Sequence, residues 1–278
     1  MSLAHAAPPG SAIVNRDLLP RIASSVVLIA IAAAAAWAGG LVAAGVLAAI
    51  SAIVHHEWTG VTEGGSNAAL PFTAAIVAAM IAYGLGFPAL ALGVAVLAVV
   101  VGVATGPRPW RSLGVGYALA LGLSLLALRD SPDHGIAAIA VVVGVVAATD
   151  IGAYVAGRTI GGAKLWPAVS PKKTWSGAIG GLAAGLVAGI VAAVSFGFGV
   201  TAPFLVVVVV LSVASQAGDL FESSVKRRFG AKDSGRLVPG HGGMMDRVDG
   251  LVFASVVAVA IGMGHGGLGD PARGLVAW

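Results

Sequence analysis

Four aspartates sit where a very apolar chain has little use for charge. Asp150 lies in "VVAATDIGAYVAGR", Asp219 in "SVASQAGDLFES", and Asp246 and Asp249 in "MMDRVDG" at the head of the last apolar run. A charged side chain within hydrocarbon costs on the order of 3 kcal/mol or more, so it persists where it is paired, wetted or used. Cations crowd the same neighbourhoods. Six of the sixteen Lys and Arg residues fall between 226 and 250, and Lys172 and Lys173 stand in "SPKKTW". Carboxylate oxygens suit Mg2+ or Mn2+, whereas Lys and Arg suit phosphate oxygens. Together they resemble the parts for phosphoryl or nucleotidyl transfer. Gly240, Gly242 and Gly243 would let backbone N–H groups approach an anion closely.

The elements that must position these residues are membrane helices. Apolar residues make up 58% of the 278 and charged residues 10%, with 41 glycines, a composition far from the soluble average. The net charge of +4 does not point to nucleic acid, because the basic residues lie between apolar runs and no DNA- or RNA-reading motif is present. Anionic membrane lipid or a phosphorylated substrate is the better partner. The absence of cysteine excludes disulfides and thiolate-bound metal.

A span needs roughly 20 apolar residues. On that measure nine spans are expected, near 22–37, 39–55, 67–84, 86–105, 113–129, 135–157, 176–200, 202–222 and 250–265. The weakest division is at Ala38-Gly39-Gly40, where one long tilted helix is the alternative. A retained first helix is expected here, not a cleaved leader. With a cytoplasmic N-terminus, all Lys and Arg except Arg129 and Arg273 fall on the inside, as the positive-inside rule requires. The expected layout is a cytoplasmic tail (1–21), N-terminal transmembrane helices (22–130), a C-terminal catalytic region (131–265) with cytoplasmic loops 158–175 and 223–249, and a tail (266–278). The fold class is an all-α, polytopic integral membrane bundle.

Plainer readings stand beside the chemical ones. A basic juxtamembrane loop such as Lys226 to Arg228 is often only a topology signal, and Asp219 could pair with Lys226 or Arg227 as a structural ion pair. His241 between glycines is more often a loop hydrogen-bonder than a metal ligand. His55 and His56, beside Glu57 and Trp58, read as interface anchors. Gly177, Gly181, Gly185 and Gly189 recur every fourth residue and read as a helix-packing groove. No phosphate-binding G-x-x-x-x-G-K-[ST] loop, G-x-S-x-G elbow or H-E-x-x-H helix is present. What the plainer readings explain poorly is four acids and seven bases on one membrane side.

The run from Ser223 through Lys226-Arg227, Lys232-Asp233-Ser234-Gly235 and Val238-Pro239-Gly240-His241-Gly242-Gly243-Met244-Met245-Asp246-Arg247-Val248-Asp249 resembles the signature of the phosphatidate cytidylyltransferases, or CDP-diacylglycerol synthases. "GDLFES" (218–223), "SPKKTW" (170–175), "DIGAYVAGR" (150–158) and "EW" (57–58) resemble further blocks of that family, in its order. The resemblance covers about residues 20–265. It departs from the family pattern at Val238 (usually Leu, Ile or Phe), Ile151 (usually Thr) and Ser176 (usually Glu).

That resemblance implies a nucleotidyltransferase of phospholipid biosynthesis, converting CTP and phosphatidate into CDP-diacylglycerol and pyrophosphate. It implies the inner membrane of a bacterium, with the site on the cytoplasmic face, and leaves room for a homodimer. Asp219 and Asp246 are expected to hold one or two divalent ions, with Asp249 and Asp150 as further ligands. Lys172, Lys173, Lys226, Arg227, Lys232 and Arg247 would hold the phosphates. Ser170, Gly240, His241, Gly242 and Gly243 would line the substrate, and Asp233 would orient Lys232. The alternatives are a transporter using the intramembrane acids, or an inactive relative.

Overall fold

The glycine pair after Ala38 does end a helix. In a computed structural model that describes residues 27, 29–65, 67–106, 109–235 and 242–278, a first apolar helix, α1 (Ile29–Ala38), stops there. Gly39 and Gly40 then take φ of 65° and 49°, values side-chain-bearing residues rarely adopt. A Cβ on Gly39 would stand 2.9 Å from Arg129 Nη2, and Arg129 donates to the carbonyls of Ala36 and Trp37, closing the end of α1.

The chain continues as α2 (Gly40–Glu63), a 3-10 turn (Asn67–Ala69) leading into α3 (Leu70–Gly84), α4 (Pro88–Thr105), α5 (Trp110–Arg129) and α6 (Gly135–Thr159). A two-stranded antiparallel hairpin follows, β1 (Lys164–Trp166) with β2 (Ser170–Thr174), pairing Lys164 with Thr174 and Trp166 with Ser170. Then come α7 (Trp175–Ser195), α8 (Ala202–Arg228), α9 (Met245–Gly266) and the short α10 (Pro271–Val276).

Eight of these helices, counting the 3-10 turn with α3, are long and apolar enough to cross a membrane. Leu90, Leu97, Val187, Val191, Val206 and Val213 are exposed along them, an arrangement that suits a lipid surround. The chain is an all-α, multi-pass membrane bundle bearing one small hairpin. Of the nine expected spans, eight match these helices. The first corresponds to α1, and the residues before 27, including the expected tail, lie outside the described residues.

Boundaries differ instructively. α2 runs past residue 55 to Glu63, where Glu63 receives the Arg111 guanidinium at 2.5 Å in a buried pair. α8 runs to Arg228 and α9 begins at Met245, so much of the expected cytoplasmic loop 223–249 is helix. The expected tail 266–278 contains α10, whose Pro271, Ala272, Leu275 and Val276 are buried. Gly262 has its Cβ space filled by the Pro271 backbone.

The packing reading of the glycine row holds. Gly177 and Gly181 meet the Ala153 and Thr149 carbonyls of α6 at 2.8 and 2.7 Å from a would-be Cβ, while Gly185 and Gly189 meet Ser212 and Val208 of α8. The row is filled by the chain's own helices and offers no face to a second copy. One apolar core gathers around Trp58, Ile76, Met80 and Leu121, and a second around Val141, Val145, Phe204 and Leu211. Alternating helix directions give the bundle two ends. One collects Glu63, Arg111, the hairpin, the end of α8 and the start of α9. The other collects Arg129, Asp130 and α10.

Candidate active site

Two glycines create the site. Where α8 crosses α9, a Cβ on Gly218 would be 2.5 Å from the Asp249 carbonyl, and one on Gly250 would be 3.0 Å from the Ser215 carbonyl. With the backbones this close, Asp219 beside Gly218 is brought against Asp249 beside Gly250. Asp150 of α6 and Lys173 of β2 join them: Asp150 and Asp249 both feel the charges of Asp219 and Lys173, and Asp150 also feels Arg247. Lys173 forms an ion pair with Asp219 Oδ2, and Ser223 Oγ donates to Asp219 Oδ1 at 3.4 Å. Asp150 and Arg247 are exposed, forming the open flank.

A turn nearer the end of α8 lies a second level. Lys226 Nζ is 2.6 Å from both Glu222 Oε2 and Asp246 Oδ1. Asp246 Oδ2 also accepts the backbone N–H groups of Ser234 (3.2 Å) and Gly243 (2.9 Å). The expected closeness of Gly243 to an anion is real, and that anion is the protein's own Asp246. Asp219 and Asp246 therefore share the site end of the bundle but not a partner: Asp219 is held by Lys173 of β2 and Asp246 by Lys226 of α8, which stands about two helical turns (~10 Å) beyond Asp219.

A carboxylate without an assigned role fixes this second level. Glu57 of α2, 4% exposed, accepts from Ser234 Oγ (3.1 Å), Met244 N–H (2.9 Å) and Met245 N–H (2.7 Å). It thereby caps the start of α9, where unsatisfied N–H groups and the helix dipole favour an anion. Gly235 and Gly243 make room, since a Cβ on either would stand 2.7 or 2.6 Å from a Glu57 oxygen. The "EW" block carried the only sequence signal for this residue. Glu222, also without an assigned role, is wholly buried and held by Lys226. His55 corrects an expectation: it is buried at 0% exposure and bonds Thr73 Oγ1 at 2.8 Å, so it anchors nothing at an interface.

The remaining candidates are peripheral or outside view. Lys172, Arg227, Lys232 and Asp233 are exposed on this end, with Arg227 donating to the Ala231 carbonyl. Ser170 opens β2, opposite Trp166. Gly242 runs beside Asp246 at φ 84°, whereas Arg236, Val238, Gly240 and His241 lie outside the described residues. Ser176 is engaged at the hairpin base, donating to the Gly161 carbonyl and bonding Thr174 Oγ1. Ile151 is 65% exposed on the helix surface.

The fit of a divalent cation is decided by the donors. Among the described residues no three His, Asp or Glu side chains close on one point as a ready-made cage. Mg2+ is commonly held by one or two carboxylates plus substrate phosphates instead. Asp219, Asp249 and Asp150 supply such hard oxygen ligands from three helices, so the donor set fits.

Fold and site together define a multi-pass membrane protein with an acid and lysine cluster at one end of its bundle. The cytidylyltransferase family pattern matches residues 19–263, and the chain belongs to that family. It is similar to the phosphatidate cytidylyltransferase of Brucella suis biovar 1 (strain 1330), at 50% identity over 159 residues, 56% of this chain and 57% of that protein. The phosphatidate cytidylyltransferases of Staphylococcus saprophyticus and Staphylococcus aureus (strain COL) are 42% and 40% identical over 134 residues, 48% of this chain and 52% of each relative. These matches span about half the length of the curated relatives.

Proposed function

We propose that the chain is an enzyme that transfers a cytidylyl group from CTP to phosphatidate, giving CDP-diacylglycerol and pyrophosphate for phospholipid biosynthesis. The observation that carries this reading is the Lys173–Asp219 ion pair at one end of a membrane bundle, with Asp150 and Asp249 near enough to feel both charges. The names of the relatives supply the substrate class.

The chemistry asks little of a general base. The attacking atom is a phosphate oxygen of phosphatidate, already anionic near neutral pH. It bonds to the α-phosphorus of CTP as the bond to the bridging oxygen breaks and pyrophosphate leaves. The obstacle is repulsion between anions, which fixed positive charge offsets. A bound Mg2+ or Mn2+, or a pair of such ions, would neutralise the triphosphate and the charge that develops on the leaving group. Asp219 and Asp249 would hold it, with Asp150 on the open flank. Lys173, now paired with Asp219, would turn to phosphate oxygens as substrate enters, and Lys172, Arg227, Lys232 and Arg247 would add contacts around it. Asp246, a turn further out, would aim Lys226 at the same phosphates.

Phosphatidate keeps its chains in the leaflet while CTP is water-borne, so the reaction belongs at headgroup depth. The distribution of Lys and Arg supports placing this end in the cytoplasm, with the N-terminus inside, and a bacterial inner membrane suits the relatives' sources. The test is purified protein in detergent with CTP, phosphatidate and Mg2+, followed for pyrophosphate and CDP-lipid. The Asp219→Asn variant should lose at least a hundredfold in turnover. Full activity in that variant, or solute flux in liposomes without CDP-lipid, overturns the reading.

A further inference from the structure

The three tyrosines of the chain are treated differently. Tyr83 donates to Asp130 Oδ2, and Tyr154 accepts from Arg158. Tyr117 of α5 is 6% exposed, and its hydroxyl has no hydrogen-bond partner among the described residues. Its ring is well placed, 5.3 Å from Trp58 and 6.2 Å from Phe221 between centroids. Phenylalanine would serve that packing as well, and a buried hydroxyl left without a partner is unfavourable. An acceptor brought by a bound molecule would satisfy the hydroxyl.

Tyr117 lines a cavity of about 430 Å3 between α4, α5, α8 and α9, together with Val99, Gly116, Phe221 and Phe253. The walls are almost wholly apolar, and Leu113 and Val256 at its lining are each 40% exposed on the bundle surface. Its other side abuts the site: Phe253 lies one turn beyond Asp249 on α9 and is 3.1 Å from a would-be Cβ on Gly218. A cavity of this kind suits hydrocarbon. The acceptor at its polar end is constrained by charge. Asp249, Glu222, Asp219 and Asp246 all bear electrostatically on Tyr117, and the phosphates of the proposed substrates are drawn instead to Lys173 and Lys226, which pair with these acids. A neutral carbonyl oxygen suits this position.

The geometry points to a lipid-specificity site: the cavity takes one acyl chain of the lipid substrate, and the Tyr117 hydroxyl donates to the ester carbonyl at the head of that chain. This rests on the proposed activity, with the phosphate of the same lipid lying toward the lysines. Tyr117 is a specificity residue and takes no part in bond breaking.

The experiment compares diacyl phosphatidate with its dialkyl ether analogue, which lacks the carbonyls, using wild type and Tyr117→Phe in mixed micelles with CTP and Mg2+. Failure of wild type to make CDP-lipid from the diacyl substrate would sink the proposed activity itself. Given that turnover, wild type should favour the diacyl lipid in kcat/KM by about fivefold, the discrimination expected of one neutral hydrogen bond. Tyr117→Phe should fall to the ether value on the diacyl lipid, with the ether substrate and the KM for CTP unchanged. Absence of an ester preference in wild type, or an equal loss on both lipids in the variant, overturns the proposal. A second variant guards against misfolding: Gly116 lines the cavity and a Cβ there meets no atom within 4 Å, so Gly116→Leu should extend a side chain into the cavity. It should raise the KM for lipid about tenfold and leave that for CTP alone, and an unchanged lipid KM would place the acyl chain elsewhere.

Discussion

Glu57 shows how much a single carboxylate can decide. Its three donors come from residues 234, 244 and 245, so it ties the loop after α8 and the first turn of α9 to α2. Hydrogen bonds to a charged group contribute about 1.5–3 kcal/mol each, and removing the anion leaves buried N–H groups unsatisfied. Glu57→Ala should destabilise by about 3 kcal/mol or more, read as loss of monodisperse protein in detergent. Glu57→Gln should fold and lose more than tenfold in kcat. At the second level, Asp246→Asn removes the anion facing Lys226, and the KM for CTP should rise about tenfold. Wild-type turnover in that variant would show that Lys226 needs no such aiming. Asp150, Asp219 and Asp249 were legible in the sequence because acids stand out in apolar runs. Glu57 was not, because its partners lie 177 to 188 positions away and its neighbour Trp58 suggests an interface.

Elements were legible to the extent that length and hydrophobicity determine them. The spans follow from roughly 20-residue apolar runs, and the turn at Gly39 follows from glycine's conformational range. The hairpin was not, since "KLW" and "SPKKT" are too short and too polar to announce strands. It matters because β2 carries Lys173 to Asp219. The base of this hairpin is secured by Thr174, which accepts the Gly177 N–H as the cap of α7, and by Ser176. Ser176→Ala should loosen the base, with kcat falling a few-fold and proteolysis between 160 and 170 becoming faster. Overall stability should stay nearly unchanged. Farther along α7 the demand is steric. Gly181→Leu would drive a side chain into the Thr149 carbonyl, and it should prevent accumulation of folded protein, as seen by size-exclusion chromatography.

At the scale of the molecule, the two ends differ in kind. The site end holds Asp150, Asp219, Asp246, Asp249, Lys173 and Lys226. The far end holds hydrogen-bonded closures such as Tyr83 with Asp130 and Ser131 with Asp270. The chain has no cysteine, so single-cysteine variants report sidedness without background. With the proposed orientation, Asp233→Cys should react with a membrane-impermeant maleimide only when the cytoplasmic face is open, and Asp133→Cys only from the opposite face. The reverse pattern would overturn the proposed orientation.

The Glu57 clasp also has a consequence for biogenesis. Glu57 emerges from the ribosome nearly two hundred residues before Met244 and Met245, so the carboxylate waits without its two backbone donors until the last long helix is made. Chains halted ahead of residue 243 should be degraded faster than full-length protein in pulse-chase labelling, and Glu57→Leu should slow that loss.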